Sequence, residues 1–242
     1  MECAPLNRYG LLAVTGADAR AFLHAQLTND IENLAADKSA FAGWCTAKGR
    51  LLATMRVIPS HDGFLLQLSR DIAPAIAKRL SMFVLRSKVK ISDESANVSQ
   101  IGLWDTQWQG PDVAWDGHSV RVRVDAGRFL LVGPGLTRRC ASSEEKWSAE
   151  EIRAGRPFIT TATQDQFVPQ MLNLEKIGAV DFQKGCYPGQ EIVARAQYRG
   201  EVKRRMARFP APAGAQLQPG QEFNGGVVVD AAGGELLAVV PV

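Results

Sequence analysis

The run Asp181-Phe-Gln-Lys-Gly-Cys-Tyr-Pro-Gly-Gln-Glu-Ile-Val-Ala-Arg195 is the densest motif in the chain. Pro188 suits a first helical position, where its missing N–H costs nothing, and Ile192, Val193 and Ala196 continue at helical spacing. Cys186 then lies just before a helix N-terminus, where backbone N–H groups and the helix dipole favour an anion, with Lys184 two residues away. Two readings stand side by side: a reactive or metal-touching thiol whose pKa Lys184 lowers, and a small buried filler behind a tight glycine loop. Gly185 and Gly189 serve either reading.

Downstream, Lys184 to Arg208 holds seven Lys/Arg and two Glu, a local charge of +5 on a remainder of −2, although the whole chain carries only +3. Such a patch suits an acidic small molecule or a phosphate backbone, and equally a solvated edge strand guarded by charge. Tyr187, Tyr198 and Phe209 are too widely spaced for a base-stacking platform, so direct nucleic-acid binding is not expected. From Phe209 to Gly220 a Pro/Ala/Gly-rich linker leads to a tail in which Val227–Val229 and Leu236–Val240 flank a Gly233-Gly234 turn. Two strands alone are marginal, so this tail must pack on the body or on the strand around Met206–Phe209.

Upstream, Thr15-Gly-Ala-Asp18 can cap a helix carrying Phe22, Leu23, Gln26 and Leu27. Phe41–Cys45, Arg50–Pro59 and Phe64–Leu68 read as a β-meander, and Asp71–Leu85 as an amphipathic helix with Pro74 in its first turn. Val89–Ile91 and Val98–Leu103 return to strand, His118–Val132 alternates as a hairpin around Asp125-Ala-Gly127, and Trp147–Ala154 is a helix stopped by Gly155 and Pro157.

The 242 residues, 46% hydrophobic and 22% charged, can bury a real core. No stretch approaches the ~20 apolar residues of a membrane span. The N-terminus lacks the basic region and apolar core of a secretory signal, which points to a cytoplasmic protein. Four scattered cysteines, Cys3, Cys45, Cys140 and Cys186, fit neither a disulfide framework nor a zinc ribbon and are expected as reduced thiols. With three histidines and no H-E-x-x-H, a metal site is not expected, and the G-x-S-x-G elbow and P-loop are missing.

Lys184-Gly-Cys-Tyr-Pro-Gly-Gln-Glu191 with Val193-Ala-Arg195 and Tyr198-Arg-Gly200 resembles the YgfZ-type folate-binding proteins, relatives of the aminomethyltransferase (T-protein) of glycine cleavage. In order along the chain, Thr15–Asp18 with Phe22–Asp30, Cys45-Thr-Ala-Lys-Gly-Arg50, Trp147–Pro157, and Gln166–Gln170 with Asn173-Leu-Glu175 match too. The resemblance implies an α+β fold of aminomethyltransferase-like modules in a ring-like arrangement, with a short C-terminal β-barrel-type domain. Residues 1–205 would form the folate-binding region, as two subdomains with a boundary near 95, and 206–242 the β domain.

It also implies a tetrahydrofolate or folate-derivative cofactor, held by the aromatic residues Trp147 and Tyr9. Iron–sulfur proteins or cluster assembly factors would be partners, with tRNA modification supported indirectly. Two departures bear on activity. The acidic pair of the T-protein falls on Ala53 and Thr54, so aminomethyl transfer loses its proton-handling group. The glutamate that meets the pterin edge falls on Arg153, which has no acceptor. The resemblance thus puts function on the loop Lys184, Gly185, Cys186, Tyr187, Gly189, Gln190 and Glu191 with Arg195. A folate-dependent transferase using Asp18, Asp30 or Asp181, and an RNA-binding module, are the alternatives.

Overall fold

The computed structural model describes residues 2–104, 107–198 and 202–242. The chain begins with β1 (Glu2–Pro5), β2 (Tyr9–Thr15), α1 (Ala19–Gln26), β3 (Ala40–Cys45), β4 (Leu51–Ser60), β5 (Gly63–Ser69) and α2 (Ala73–Ser81). It continues with β6 (Lys90–Asp93), β7 (Ser99–Trp104), β8 (Val113–Asp116), β9 (Ser119–Asp125), β10 (Arg128–Gly133) and α3 (Glu144–Arg153). A 3-10 turn (Pro169–Leu172), α4 (Gln190–Tyr198), β11 (Arg204–Pro210), β12 (Glu222–Phe223), β13 (Gly226–Ala232) and β14 (Glu235–Pro241) complete it. These elements fall into two compact, interleaved units. The first comprises Met1–Phe22, Glu32–Ala40 and Arg56–Trp147, and the second Leu23–Ile31, Phe41–Met55 and Ser148–Val242.

In the first unit the antiparallel order β1-β7-β10-β9-β8 follows from alternating strands. Leu103 of β7 lies opposite Cys3 on one side and Phe129 on the other, and Cys3, Ile101, Leu103 and Phe129 form a buried cluster. A second antiparallel set places β2 between β5 and β6, with Arg56–Ser60 of β4 on the outer side of β5. The apolar face expected for the helix α2 holds at Ile72, Ile76 and Leu80, which are buried, and not at Phe83, which is exposed. The helix ends four residues before the expected Leu85, because the N–H groups of Met82, Phe83 and Val84 reach back three residues, to Arg79, Leu80 and Ser81. That tightening turns Met82 (71% exposed), Phe83 and Leu85 outward.

Cys3 and Cys140 form a disulfide, with Cα atoms 4.8 Å apart, which corrects the expectation of four reduced thiols. The pairing joins residues 137 positions apart, a separation at which spacing rules are silent. It is brought about by β1 lying beside β7 while the segment after β10 returns to it, Ser142 N–H bonding the Cys3 carbonyl at 3.0 Å.

In the second unit Thr28 is the joint. Its hydroxyl donates to the Ala179 carbonyl at 2.7 Å and accepts the Gly43 N–H at 2.8 Å, while its carbonyl accepts the Asp181 N–H. The tail strands take the order β11-β14-β13-β12. Met206 lies opposite Val239, so the tail packs on the strand around Met206 as the sequence required. A register shift between Val228 and Asp230 curls this short sheet.

Candidate functional site

The loop 181–189 of the second unit is built from its base upward. Asp181 Oδ1 accepts the N–H groups of Gln183 (2.7 Å) and Lys184 (3.2 Å), a side-chain-closed turn. The Lys184 side chain then runs inward, only 8% of the residue being exposed. Its Nζ donates to the Leu27 carbonyl at 2.6 Å and to the His24 carbonyl. Those carbonyls belong to the C-terminal end of α1, where a cation satisfies unpaired acceptors and the helix dipole together. Burial pulls the Lys184 pKa down to about 8, with Asp30, Asp181 and Cys186 acting in the opposite direction. Lys184 therefore pins the loop to α1, a role the sequence did not suggest.

Glycines seat the rest of the loop. Gly189 has φ +80°, and a Cβ there would stand 2.5 Å from both Gly49 Cα and the Thr46 carbonyl oxygen. Gly49, at φ +71°, leaves equally little room on its side, a Cβ meeting Ile192 at 2.9 Å. The turn Cys45–Arg50 and the loop Lys184–Glu191 thus pack backbone to backbone, joining two motifs that lie some 140 residues apart in sequence. The helix α4 opens at Gln190 rather than at Pro188, with Glu191 in its first turn and Arg195 in its last. Gln170 Nε2 holds the carbonyl of buried Val193 at 2.6 Å. Tyr187 is buried, its ring 5.1 Å from Lys184 Nζ, and burial pushes its phenol well above the usual range. Arg199 and Gly200 lie outside the described residues.

Cys186 itself is exposed and free, whereas Cys45 is buried with its thiol pushed up to about 12. Of the four cysteines, Cys186 alone offers a free thiol to solvent. Gly185 next to it faces His24, a Cβ there lying 3.6 Å from Nε2, and His24 Nδ1 is 3.1 Å from Asp30 Oδ1. Sequence reasoning missed the His24–Asp30 pair, although both residues stand in the Phe22–Asp30 run. No three His, Cys, Asp or Glu among the described residues are grouped to hold a metal ion.

The residues nominated for folate are placed differently. Trp147 is 2% exposed in the first unit, its ring laid on Gly102, where any Cβ would collide with it. Trp104 meets it edge-on at 5.5 Å, and the Arg128 guanidinium sits 4.8 Å over it. Tyr9 is 7% exposed and borders a cleft of about 420 Å³ in the same unit. Arg153, in the second unit, points its Nε at Glu235 Oε2, 2.7 Å away. Ala53 is fully buried, and the Thr54 hydroxyl donates to the Pro157 carbonyl at 2.8 Å. Among the alternative acids, Asp18 accepts the Lys88 N–H at 2.6 Å, Asp30 faces His24 and Asp181 closes the loop turn. Of the basic stretch, Arg205 is paired with Glu175 and Arg208 stands 3.9 Å from Glu235.

No family model matches the sequence. Among solved structures, the glycine cleavage system aminomethyltransferase T from Bartonella henselae superposes with a TM-score of 0.69. It covers 99% of this chain and 78% of that one at 15% identity. The chain has the aminomethyltransferase fold. The heterotetrameric sarcosine oxidase from Corynebacterium sp. U-96, in complex with pyrrole 2-carboxylate, overlaps 55% of this chain and 74% of that one, at 18% identity and a TM-score of 0.36. That partial overlap adds nothing to the fold. No helix among the described residues is long and apolar enough to cross a membrane.

Proposed function

We propose that this chain is a folate-linked accessory protein of iron–sulfur cluster assembly or repair, supporting tRNA modification indirectly, and that it acts through the Cys186 thiol rather than by aminomethyl transfer. The observation that carries the proposal is Cys186. It is the one exposed free thiol, on a loop held by Lys184 and by the Gly189–Gly49 contact, in a chain with the aminomethyltransferase fold. A thiol so placed is open to a partner protein's cluster, persulfide or cysteine.

The absence of acid at Ala53 and Thr54 supports the lack of transfer activity. The only hydroxyl there is already engaged with Pro157, so neither side chain can hold or move a proton for a bound amine. Trp147 does not fit as a folate-stacking wall, because Gly102, Trp104 and Arg128 cover its ring. Folate association rests on the fold.

Isothermal titration of tetrahydrofolate into the intact chain tests the folate part, with saturable binding expected and no heat at millimolar ligand refuting it. A turnover assay with a one-carbon donor and tetrahydrofolate tests the other part. No product is expected at high protein concentration, and catalytic turnover would favour the transferase alternative.

A further inference from the structure

We propose that the cleft of the first unit bordered by Arg70 and Arg138 binds a small oxyanionic ligand carrying two or more carboxylate or phosphate groups. The cleft encloses about 420 Å³, within the ~300–1,000 Å³ usual for small-molecule sites. Its walls come from the β1–β2 connection, the turn between β6 and β7, and the segment after β10, with Arg70 entering from the end of β5. Asn7, Asn97 and Ser99 supply further polar groups, and no Asp or Glu lines it.

The nearby carboxylates are already held by their own neighbours. Glu94 accepts from Asn97 (3.0 Å) and Ser92 (2.7 Å), Asp93 from Ser95, and Glu144 from the Arg8 N–H at 2.7 Å. Neither Arg70 nor Arg138 has a side-chain hydrogen bond or ion pair among the described residues. Two guanidinium groups in a cleft wall that carries no carboxylate suit a ligand with more than one anionic group, which can engage both at once.

The site is also built rather than loose. Among its lining residues, buried Gln100 is fixed by its own bonds, Oε1 accepting from Gln67 at 2.8 Å and Nε2 donating to the Tyr9 carbonyl at 3.1 Å. The wall carrying Arg138 is tied to β1 two residues later by the Cys3–Cys140 disulfide. The inference goes beyond the function proposed above, since nothing in it depends on Cys186 or on folate.

Calorimetric titration of the oxidised intact chain with citrate and with inorganic phosphate, at low and at physiological ionic strength, tests it. One saturable site is expected, weakening with salt, and R70Q and R138Q should each lower affinity about tenfold or more. R70K and R138K, which keep the charge but lose the fork, should lose less. Circular dichroism of all four variants should match the parent, because both side chains are exposed. Tighter citrate binding assigns a polycarboxylate, and tighter phosphate binding a phosphorylated ligand. The proposal fails if neither probe binds at millimolar concentration, or if R70Q and R138Q bind as the parent does.

Discussion

Replacing Gly189 by Ala isolates the contact on which the candidate site is built. A left-handed backbone costs an L-residue ~1–2 kcal/mol, and that is all a Gly178→Ala change should cost, because φ there is +68° and no atom lies within 4 Å of the added Cβ. Gly189, at φ +80°, carries the same strain and a collision besides. The new Cβ would stand 2.5 Å from Gly49 Cα and from the Thr46 oxygen, and 2.6 Å from Gly49 N. Those are backbone atoms with no rotamer to give, and overpacking of this kind costs ~1–3 kcal/mol. The total for Gly189→Ala is then ~2–5 kcal/mol. In urea, at ~2 kcal/mol per molar, that moves the unfolding midpoint by ~1–2.5 M. Far-UV circular dichroism of both variants and the parent gives the comparison. Equal losses from Gly178→Ala and Gly189→Ala, within ~0.5 kcal/mol, would refute the back-to-back packing of the two loops.

Thiol counting checks the cysteine assignments. The native chain should react rapidly with a disulfide reagent at one thiol, lose that reaction in Cys186→Ser, expose a second thiol on unfolding, and reach four only after reduction. Cys140→Ser should destabilise the first unit by ~2–5 kcal/mol, measured by urea unfolding under oxidising conditions, since a closed loop this long restricts the unfolded chain strongly. Lys184 should impose a pH dependence, since burial brings its folded pKa to about 8, below the 10.5 of a free lysine. Below pH 8 both states hold the proton and burial burdens the folded one. Between 8 and 10.5 the unfolded state holds more protons, so stability should rise with pH and then level off. Chemical denaturation across that range should show the rise in the parent, and Lys184→Met should flatten it.

The elements that the sequence made legible are those with a strong period or a strong turn. The hairpin of β9 and β10, the meander of β3 to β5 and the tail pair β13 and β14 follow from alternation and from Gly-rich turns. Element ends were less legible: α2 closes in local three-residue bonds after Ser81, and α4 begins only at Gln190, after Gly189 has packed against Gly49. The thiol loop was legible as a motif, and its partners were not. Nothing local says that Gly189 needs Gly49, or that the Lys184 ammonium bonds the carbonyls at the end of α1. Trp147 shows the same limit, because an aromatic residue fit to stack on a ligand is equally fit to fill a core. Cys3 and Cys140 paired across 137 residues, and only the order of strands in the sheet brings them together.

The role assigned to Cys186 is tested most directly in cells that lack this protein, by assaying an iron–sulfur-dependent tRNA-modifying enzyme after return of the parent chain or of Cys186→Ser at matched protein levels. Because Cys186 is exposed and makes no structural bond to another cysteine, the variant should fold as the parent does. The parent chain is expected to restore the modification and Cys186→Ser to leave it depressed; full restoration by Cys186→Ser would contradict the account.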